Sequence, residues 1–534
     1  MKKLLLPFFI FCTLAATAQY NNSWIDYSKT YYKFKVGKSG LYRISQSALN
    51  SIGLGGTPAE QFQLWRNGEQ VRLFTSVPGG PMGAADFIEF NGRMNDGVPD
   101  KPLYRVTDGQ LSDSFSLHTD TSAYFLTVNP STSANLRYTN TANNVSSNVL
   151  PPEPYFMRRM EQAFRQQYNR GFANIVGEYV FSSSYDIGEG WTSNNIGPCC
   201  ALSLYFQGMN VYTAGPANSV SLYVAAFGNA LFTRNLQVTF YNTKVLDTAM
   251  NYFSVAKKQV DNLPLSYFPS SDHVIVNVNG NSTNPNDRIT VGTVAITYPA
   301  VFNFNNEKSF YFELKPSAVG NFLQIDNFNT GGVQPVLYSM NDGKRYLGDI
   351  NTPGKVKFAL PPSADPARKF MLVSQEVTSI NTVNSFTQKS FINYSVAANQ
   401  GDYLIISNPV LYNDGNGNNY VDQYRAYRAS AAGGSYNAKV ISIDELTDQF
   451  AFGIKKHPAA IRDFIRSAVA QFTLKPKYVL IIGRGVSSIE YKANESSADI
   501  EKLDLVQTFG WPASDILLAC EPGQMVPLVP IARL

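Results

Sequence analysis

Cysteine is scarce in this sequence, with four residues among 534. That number is too small for the disulfide scaffold that holds many small exported domains together. Cys199 and Cys200 are adjacent, and because neither a CxxC spacing nor a nearby histidine cluster accompanies them, we expect two small buried side chains. Cys520 follows the apolar run "LLA", which is typical of a buried thiol with a raised pKa. We therefore predict that these cysteines are structural rather than catalytic.

An excess of charge of one sign is also lacking. Without Lys2 and Lys3, which belong to the N-terminal segment described below, 42 basic residues stand against 40 acidic ones. This balance favours neither nucleic acid nor a strongly acidic surface as a partner. Aromatic residues are abundant instead, with 31 Tyr and 35 Phe, a composition that favours strands over long exposed helices. The sequence predicts a mostly β protein.

Long apolar runs are confined to the first residues of the chain. Lys2 and Lys3 precede an apolar stretch, Leu4 to Leu14, and Ala16-Thr17-Ala18 form a small-residue cleavage site. This pattern is typical of a secretory signal peptide, and the stretch is shorter than the roughly 20 apolar residues of a membrane-spanning helix. We therefore predict a signal peptide at residues 1–18, no transmembrane segment after its removal, and a secreted or cell-surface location.

Histidine is rarer still, since the sequence contains only His118, His273 and His457. They are distant in sequence, and we expect them to lie far apart in different domains. A cysteine peptidase needs a Cys and a His within hydrogen-bond reach of each other, and no such pair is evident. His457 directly precedes Pro458, which favours a capping or packing role at the start of a helix. The sequence therefore predicts no catalytic residue in this chain.

The first two predicted domains are rich in β-strands. Residues 19–139 alternate short strand-like runs with Gly, Pro, Asn and Asp turns, and the segment "SQSALNSIG" is typical of a helix that ends at Gly53. Residues 140–154 are polar and proline-rich and are interpreted as a linker. Residues 155–398 begin with a predicted helix, "YFMRRMEQAFRQQY", and continue with evenly spaced strands that predict a jelly-roll-like β-sandwich.

The pattern changes in residues 399–534. "DYLIIS", "AKVISI" and "KYVLIIG" are typical of buried strands, and "YVDQYRAYRAS" and "PAAIRDFIRSAVAQF" of helices between them. Strands that alternate with helices predict a parallel, doubly wound, Rossmann-like α/β sheet, which binds ligands at the carboxyl ends of its strands. "VPLVPIARL" at residues 526–534 is the expected next strand, so we expect this last domain to be incomplete.

Two short motifs suggest cofactors only weakly. Gly483-x-Gly485 follows a strand, as in dinucleotide sites, but Ser488 occupies the third glycine position and no helix is predicted there. Asp414 to Asn419 has oxygen ligands at alternate positions, like a calcium loop, but Asn419 stands where a glycine is expected. We interpret this loop as a polar turn. No cofactor is predicted, and calcium remains an open alternative.

Three segments of the α/β part resemble the first half of the catalytic domain of gingipain-type cysteine peptidases: "LTDQFAFGIKKHPAAIRDFI", "KPKYVLIIGRG" and "VQTFGWPASDILLAC". Upstream, "GLYRIS", "DFIEFNGRMNDG" and "SYDIGEGWTS" resemble the β-rich regions before that domain. The sortase-like peptidase of the type IX secretion machinery is a relative with a similar plan. The resemblance implies a caspase-like or gingipain-like fold for residues 399–534.

The resemblance also implies where the chemistry lies. In that family the catalytic His and Cys follow a "GR" strand, which Ala532 and Arg533 match with Ala in place of the usual Gly. We therefore expect the chain to stop before its active site. Asp515 in "PASD" matches a family position near the carboxyl edge of the sheet. It is a candidate for the substrate cleft, and holding a loop by hydrogen bonds is an equally good alternative.

These observations predict an exported gingipain-like cysteine endopeptidase that is present here without its catalytic dyad. A protein or peptide substrate and the type IX secretion machinery are the expected partners. The alternative is a non-catalytic cell-surface module whose β-sandwich binds carbohydrate or protein. The α/β part favours the enzyme, whereas the missing dyad favours the module.

Overall fold

The computed structural model describes residues 20–268 and 270–534. The predicted signal peptide, residues 1–18, lies outside the described residues. We refer to residues 20–139 as the N-terminal β region, to residues 155–398 as the central β region and to residues 399–534 as the α/β region.

The N-terminal β region and the segment after it contain the first helix and the first strands: β1 (Tyr31–Val36), β2 (Gly40–Ser45), α1 (Gln46–Ser51), β3 (Phe62–Arg66), β4 (Glu69–Val71), β5 (Phe74–Thr75), β6 (Phe87–Gly92), β7 (Ser122–Val128) and β8 (Thr139–Thr141). Helix α1 is the predicted one. It begins after Ser45, whose side chain accepts a hydrogen bond from the Ala48 amide.

The central β region consists mainly of strands, with short 3-10 helices at Leu265–Tyr267 and Val377–Ser379. Its strands are β9 (Phe156–Ala163), β10 (Gln167–Arg170), β11 (Ala173–Ile175), β12 (Tyr179–Phe181), β13 (Glu189–Thr192), β14 (Leu202–Phe206), β15 (Val220–Gly228), β16 (Asn235–Phe240), β17 (Thr243–Ala249), β18 (Val255–Leu263), β19 (Val274–Asn281), β20 (Ile289–Ala300), β21 (Asn303–Glu307), β22 (Ser309–Leu314), β23 (Asn321–Phe328), β24 (Val336–Ser339), β25 (Lys344–Leu347), β26 (Lys355–Leu360), β27 (Arg368–Val373), β28 (Asn381–Thr382) and β29 (Thr387–Lys389).

The predicted helix at residues 155–168 is wrong, because this segment forms β9 and β10. Phe156, Met160 and Phe164 are spaced by four residues, which places them on one face of a helix but equally on one face of a strand. Antiparallel pairing of β9 with the buried strand β20 decides between the two. Tertiary pairing here overrides a local pattern that fits both structures.

In the described residues, the larger sheets of the β regions form three facing pairs, and β10-β13 and β11-β12 are separate two-stranded sheets. In the first pair, sheets of order β29-β1-β7-β3-β4 and β28-β2-β6-β5 enclose a core that includes Phe34 and Phe90. In the second pair, β18-β15-β20-β9 faces β14-β19-β16-β17, and in the third, β21-β23-β26 faces β22-β27-β24-β25-β8. Strands β28 and β29 therefore return to the N-terminal β region, and β8 adds to a sheet of the central region.

The α/β region contains the remaining elements: β30 (Tyr403–Ser407), α2 (Tyr420–Ala429), β31 (Ala438–Ser442), α3 (Ile443–Phe450), α4 (Ala459–Gln471), β32 (Tyr478–Ile482), α5 (Ser488–Ala493), α6 (Ile500–Leu503) and β33 (Ile531–Arg533). The strands are all parallel, in the order β31-β30-β32-β33. Helix α2 packs against one face of the sheet, and α3 and α4 pack against the other. The predicted doubly wound α/β sheet is confirmed.

Details of this region differ from the prediction. A helix, α5, does follow Gly485, and it begins with a capping box in which Ser487 and Glu490 bind each other's backbone amides. Helix α3, capped by Ser442, was not predicted. Only Ile531–Arg533 of the predicted last strand is extended in the sheet. In the part of the chain that the structure describes, no helix has the length and apolar character needed to cross a membrane.

A shared core joins the N-terminal β region to the α/β region. Leu103, Tyr104 and Leu117 pack in the same buried cluster as Ile461 and Phe464 of α4. The Arg462 guanidinium, which is also buried, donates a hydrogen bond of 2.9 Å to the Pro102 carbonyl. These contacts place the loops at residues 100–104 and 115–118 against the start of α4.

Candidate functional site

The carboxyl ends of β30, β32 and β33 meet at one edge of the parallel sheet. The Ser407 hydroxyl of β30 donates to the Ile482 carbonyl of β32 at 2.8 Å, and the Asn408 side-chain amide donates to the Leu505 carbonyl in the following loop at 2.9 Å. Gly483, directly after β32, has a φ of 139°, which an L side chain rarely adopts. Ligands of open α/β sheets bind at the carboxyl ends of the strands, so this edge is the candidate ligand-binding site of the α/β region.

Arg533 organises this edge. Its Nε and Nη2 atoms donate to the two carboxylate oxygens of Asp515 at 2.7 and 2.6 Å. Its Nη1 donates to the carbonyls of Gly483 and Val506 at 2.7 and 2.8 Å, and Nη2 also reaches the Gln507 carbonyl at 3.2 Å. The guanidinium therefore connects β33 to the end of β32 and to the loop at residues 505–515.

Asp515, the predicted substrate-cleft candidate, lies at this carboxyl edge and is the one side chain, among the described residues, that Arg533 binds in this network. Both of its carboxylate oxygens accept from Arg533, and about a quarter of its side chain is exposed. This geometry fits the alternative role of Asp515, in which its carboxylate holds a loop in place by hydrogen bonds. A role in a substrate cleft remains a prediction.

The cysteines occupy two different environments. Cys520 is buried, its sulfur donates to the Ile516 carbonyl at 3.3 Å, and burial raises its pKa, as predicted. The prediction that Cys199 and Cys200 are buried is wrong, because both are exposed in a turn after Pro198. Gly197 and Pro198 favour a turn here, and the packing of the neighbouring strands leaves this turn at the surface. Among the described residues, no hydrogen bond joins a cysteine to a histidine.

Two of the three histidines come together, against the prediction. The rings of His118 and His457 are 4.7 Å apart between centroids, and His457 Nε2 lies 3.2 Å from Asp100 Oδ1. They meet because the N-terminal β region docks on α4, a contact that distance in sequence does not reveal. His273 lies elsewhere, in the central β region beside Tyr205.

The three side chains are fully buried, at 0% exposure for Asp100, 4% for His118 and 2% for His457. Burial lowers the pKa of His118 to about 3, so this imidazole is neutral at physiological pH. Burial alone would raise the pKa of Asp100, but the contact with His457 and the Leu117 amide hold it below its ordinary value, so the carboxyl is ionised.

His457 also caps α4, which confirms its predicted capping or packing role. Its Nδ1 accepts a hydrogen bond of 3.2 Å from the Ala459 amide at the first position of the helix. This amide is among the four that have no partner inside the helix. A residue at the start of a helix in one region thus contacts a carboxylate from another.

The loop at Asp414 to Asn419 holds itself together. One Asp414 oxygen accepts from the Asn416 and Asn418 amides at 2.8 and 3.1 Å, and the other accepts from the Asn418 side chain at 2.9 Å. These bonds are those of a polar turn. Calcium binding remains an untested alternative.

Comparison with known proteins supports the resemblance drawn from the motifs. Residues 396–534 match the model of peptidase family C25. The fold is similar to that of dimeric latent PorU from Porphyromonas gingivalis, with a TM-score of 0.57 and 11% identity over 96% of this chain. The chain spans about half of that structure, 49% of its length.

Other comparisons add little. A carbohydrate-binding module, CBM36, solved in complex with calcium and xylotriose, matches 26% of this chain and 98% of its own, with 9% identity and a TM-score of 0.17. That likeness is too low to support an inference about this chain. No curated protein matches the chain in sequence.

Proposed function

We propose that this chain carries the leading β regions and the first part of the catalytic domain of an exported gingipain-type cysteine endopeptidase. The observation that carries the proposal is the match of residues 396–534 to peptidase family C25. The parallel sheet, with helices on both faces, is consistent with it. The similarity to latent PorU extends the likeness of fold over the β regions.

The proposed reaction is peptide-bond hydrolysis by a thiolate. The cysteine sulfur attacks the scissile carbonyl after a histidine takes its proton, the amine leaves with that proton, and water then hydrolyses the thioester. Cys520 is unsuited to this role, because its thiol is buried, its pKa is raised and its hydrogen bond goes to a backbone carbonyl. We therefore propose that the catalytic pair belongs to residues outside the 534 of this sequence.

The proposed substrate cleft lies at the carboxyl edge of the sheet, beside Gly483 and Asp515. There the Arg533 network fixes the loop at residues 505–515 against the ends of β32 and β33. A rigid edge of this kind can position a substrate backbone for attack. The proposed partners are a protein or peptide substrate and, after export through the signal peptide, the type IX secretion machinery. N-terminal sequencing of the exported protein tests the export step, with Gln19 as the expected first residue.

The function is tested by comparing the 534-residue chain with the complete product of the gene. Both are incubated under reducing conditions with fluorogenic peptides that contain Arg or Lys. The complete product should cleave them and lose activity on thiol alkylation, whereas the 534-residue chain should not. Turnover by the shorter chain that Cys520→Ala abolishes would overturn the assignment of the nucleophile. No cleavage by the complete product would overturn the proposed function.

A further inference from the structure

The buried cluster of Asp100, His118 and His457 has a geometry that the proposed peptidase reaction does not use. One potential ligand atom from each residue lies within 4.8 Å of the others. Asp100 and His118 come from two loops of the N-terminal β region, and His457 from the residue before α4 and its Pro458. The cluster thus spans the contact between two regions of the protein.

The cluster contains a buried polar atom without a partner. Within the described part of the chain, His118 Nε2 forms no hydrogen bond, and His457 Nε2 has only its 3.2 Å contact with Asp100 Oδ1. Asp100 is fixed in place, since its Oδ2 accepts from the Leu117 amide at 2.7 Å. Its Oδ1 is 3.5 Å from the Ser116 hydroxyl and 3.2 Å from His457 Nε2. Buried polar atoms usually have partners, and a bound ion is one established reason for an exception.

We propose that Asp100, His118 and His457 bind a divalent transition-metal ion, with Zn²⁺ as the preferred occupant. Two imidazoles and one carboxylate are a ligand set that Zn²⁺ prefers, with a fourth position left for water. Bond lengths near 2.0 to 2.2 Å place tetrahedral ligands roughly 3.3 Å apart. The 3.2 Å between Asp100 Oδ1 and His457 Nε2 already matches this spacing. The His118 nitrogen lies within 4.8 Å of both atoms and would have to approach them by at most about 1.5 Å.

The surrounding groups tolerate the added charge. The carboxylate neutralises half of it, and two nearby ammonium groups are already paired: Lys456 with Asp504, and Lys492 with Glu495 at 2.8 Å. A metal on Nε2 of His457 puts the ring proton on Nδ1, so the Ala459 amide loses its acceptor. One hydrogen bond is thereby exchanged for three coordinate bonds.

The ion would fasten the N-terminal β region to the α/β region, since each supplies at least one ligand. Metal binding that requires two elements to be in contact stabilises that contact. This inference does not depend on the proposed peptidase activity, because the cluster lies in described residues and its test uses the metal ion itself.

The test uses an untagged chain without residues 1–18, in which Cys199→Ser and Cys200→Ser remove an exposed thiol pair that could bind metal separately. The protein is stripped with a chelator and titrated with Zn²⁺ and, in parallel, Co²⁺. We expect one equivalent bound per chain, the visible absorption of four-coordinate Co²⁺, and a higher thermal midpoint with metal. His118→Gln should weaken Zn²⁺ binding by about 100-fold or more, because even substitutions of residues that only hydrogen-bond to a metal ligand lower metal affinity about 10- to 100-fold.

His273→Gln is the matched control, because this histidine lies outside the cluster and should leave metal binding unchanged. Asp100→Asn repeats the test with a side chain of the same shape, in case His118→Gln does not fold. The proposal is overturned if the stripped parent protein takes up no ion. It is equally overturned if a folded His118→Gln or Asp100→Asn protein binds Zn²⁺ as tightly as the parent does.

Discussion

Arg533 and Asp515 form a bidentate ion pair at the carboxyl edge of the parallel sheet, with N–O distances of 2.7 and 2.6 Å. The same guanidinium donates to three backbone carbonyls of the neighbouring segments. Planar pairing of this kind gives geometric precision as well as energy. The pair therefore fixes the loop that contains Asp515 to the strand that contains Arg533.

Asp515→Asn should destabilise the α/β region by ~1–3 kcal/mol, because a mostly buried guanidinium loses its charged acceptor. Thermal unfolding followed by circular dichroism measures the effect. The matched control is Asp499→Asn, which removes the partner of Lys502. Both side chains of that pair are about three-quarters exposed, so the substitution should change the thermal stability little. Equal effects from the two substitutions would contradict the role given to Asp515.

Glu189 predicts a pH dependence of stability. Burial, with a smaller contribution from the charge of Asp186, raises its pKa to about 8 from an ordinary value of 4.5, although the Asp186 amide and the Tyr168 hydroxyl partly oppose the shift. The folded state therefore holds a proton that the unfolded state releases. The resulting stability is present below pH 4.5 and is lost as the pH rises through about 8. The full difference is on the order of 5 kcal/mol.

Glu189→Gln should remove this dependence, since the amide can accept from the Asp186 amide and donate to the Tyr168 hydroxyl. The thermal midpoints of variant and parent should be similar near pH 5, and the variant should become the more stable one by pH 8. Glu178→Gln, at an exposed carboxyl nearby, is the control and should follow the parent. A constant difference between Glu189→Gln and the parent over this pH range would contradict the prediction.

The cysteines should differ in reactivity. In the native chain without residues 1–18, Cys199 and Cys200 should react quickly with a thiol reagent, because both are exposed. Cys520 should react only on unfolding, because it is buried and its pKa is raised. Mass spectrometry of alkylated peptides over time measures this. Labelling of native Cys520 as fast as that of Cys199 would show that its environment is misassigned.

The central β region contains a buried ion pair between Arg234 and Asp287, whose side chains are 0% and 1% exposed. Arg234 also donates to the carbonyls of Ala230, Met250 and Tyr252. Asp287→Asn should destabilise this region by ~3–5 kcal/mol, because it leaves a buried charge without its partner. Asp247→Asn, which removes the partner of the largely exposed Lys244, should have a much smaller effect in the same unfolding measurement. Similar losses would contradict the importance of burial here.

Local patterns predicted the α/β region well. Ile461, Phe464, Ile465 and Ala468 recur at helical spacing and are fully buried in α4. The apolar runs at β30 and β32 are parallel strands, of which β30 is buried throughout and β32 in part. The helix predicted at residues 155–168 was wrong because apolar residues spaced by four fit one face of a helix and one face of a strand alike. The Ser487 and Glu490 spacing of a capping box indicates the start of α5 in the sequence itself, although no helix was predicted after Gly485.

The cluster at His457 could not be predicted, because it depends on how separate regions pack. His118 and Asp100 reach it through the docking of the N-terminal β region on α4, and nothing in the local sequence around either residue indicates that contact. The exposure of Cys199 and Cys200 likewise follows from the position of one turn. Periodicity reports which face of an element is buried, but not which distant element covers it.

The central claim is tested most directly by assaying the complete gene product, purified from its natural source, for cleavage of Arg- and Lys-containing peptides before and after thiol alkylation. The 534-residue chain is assayed beside it. A cysteine endopeptidase of the C25 type predicts cleavage by the complete product, its loss on alkylation, and no cleavage by the 534 residues alone. A complete product that cleaves no peptide, or whose cleavage survives alkylation of its cysteines, would contradict it.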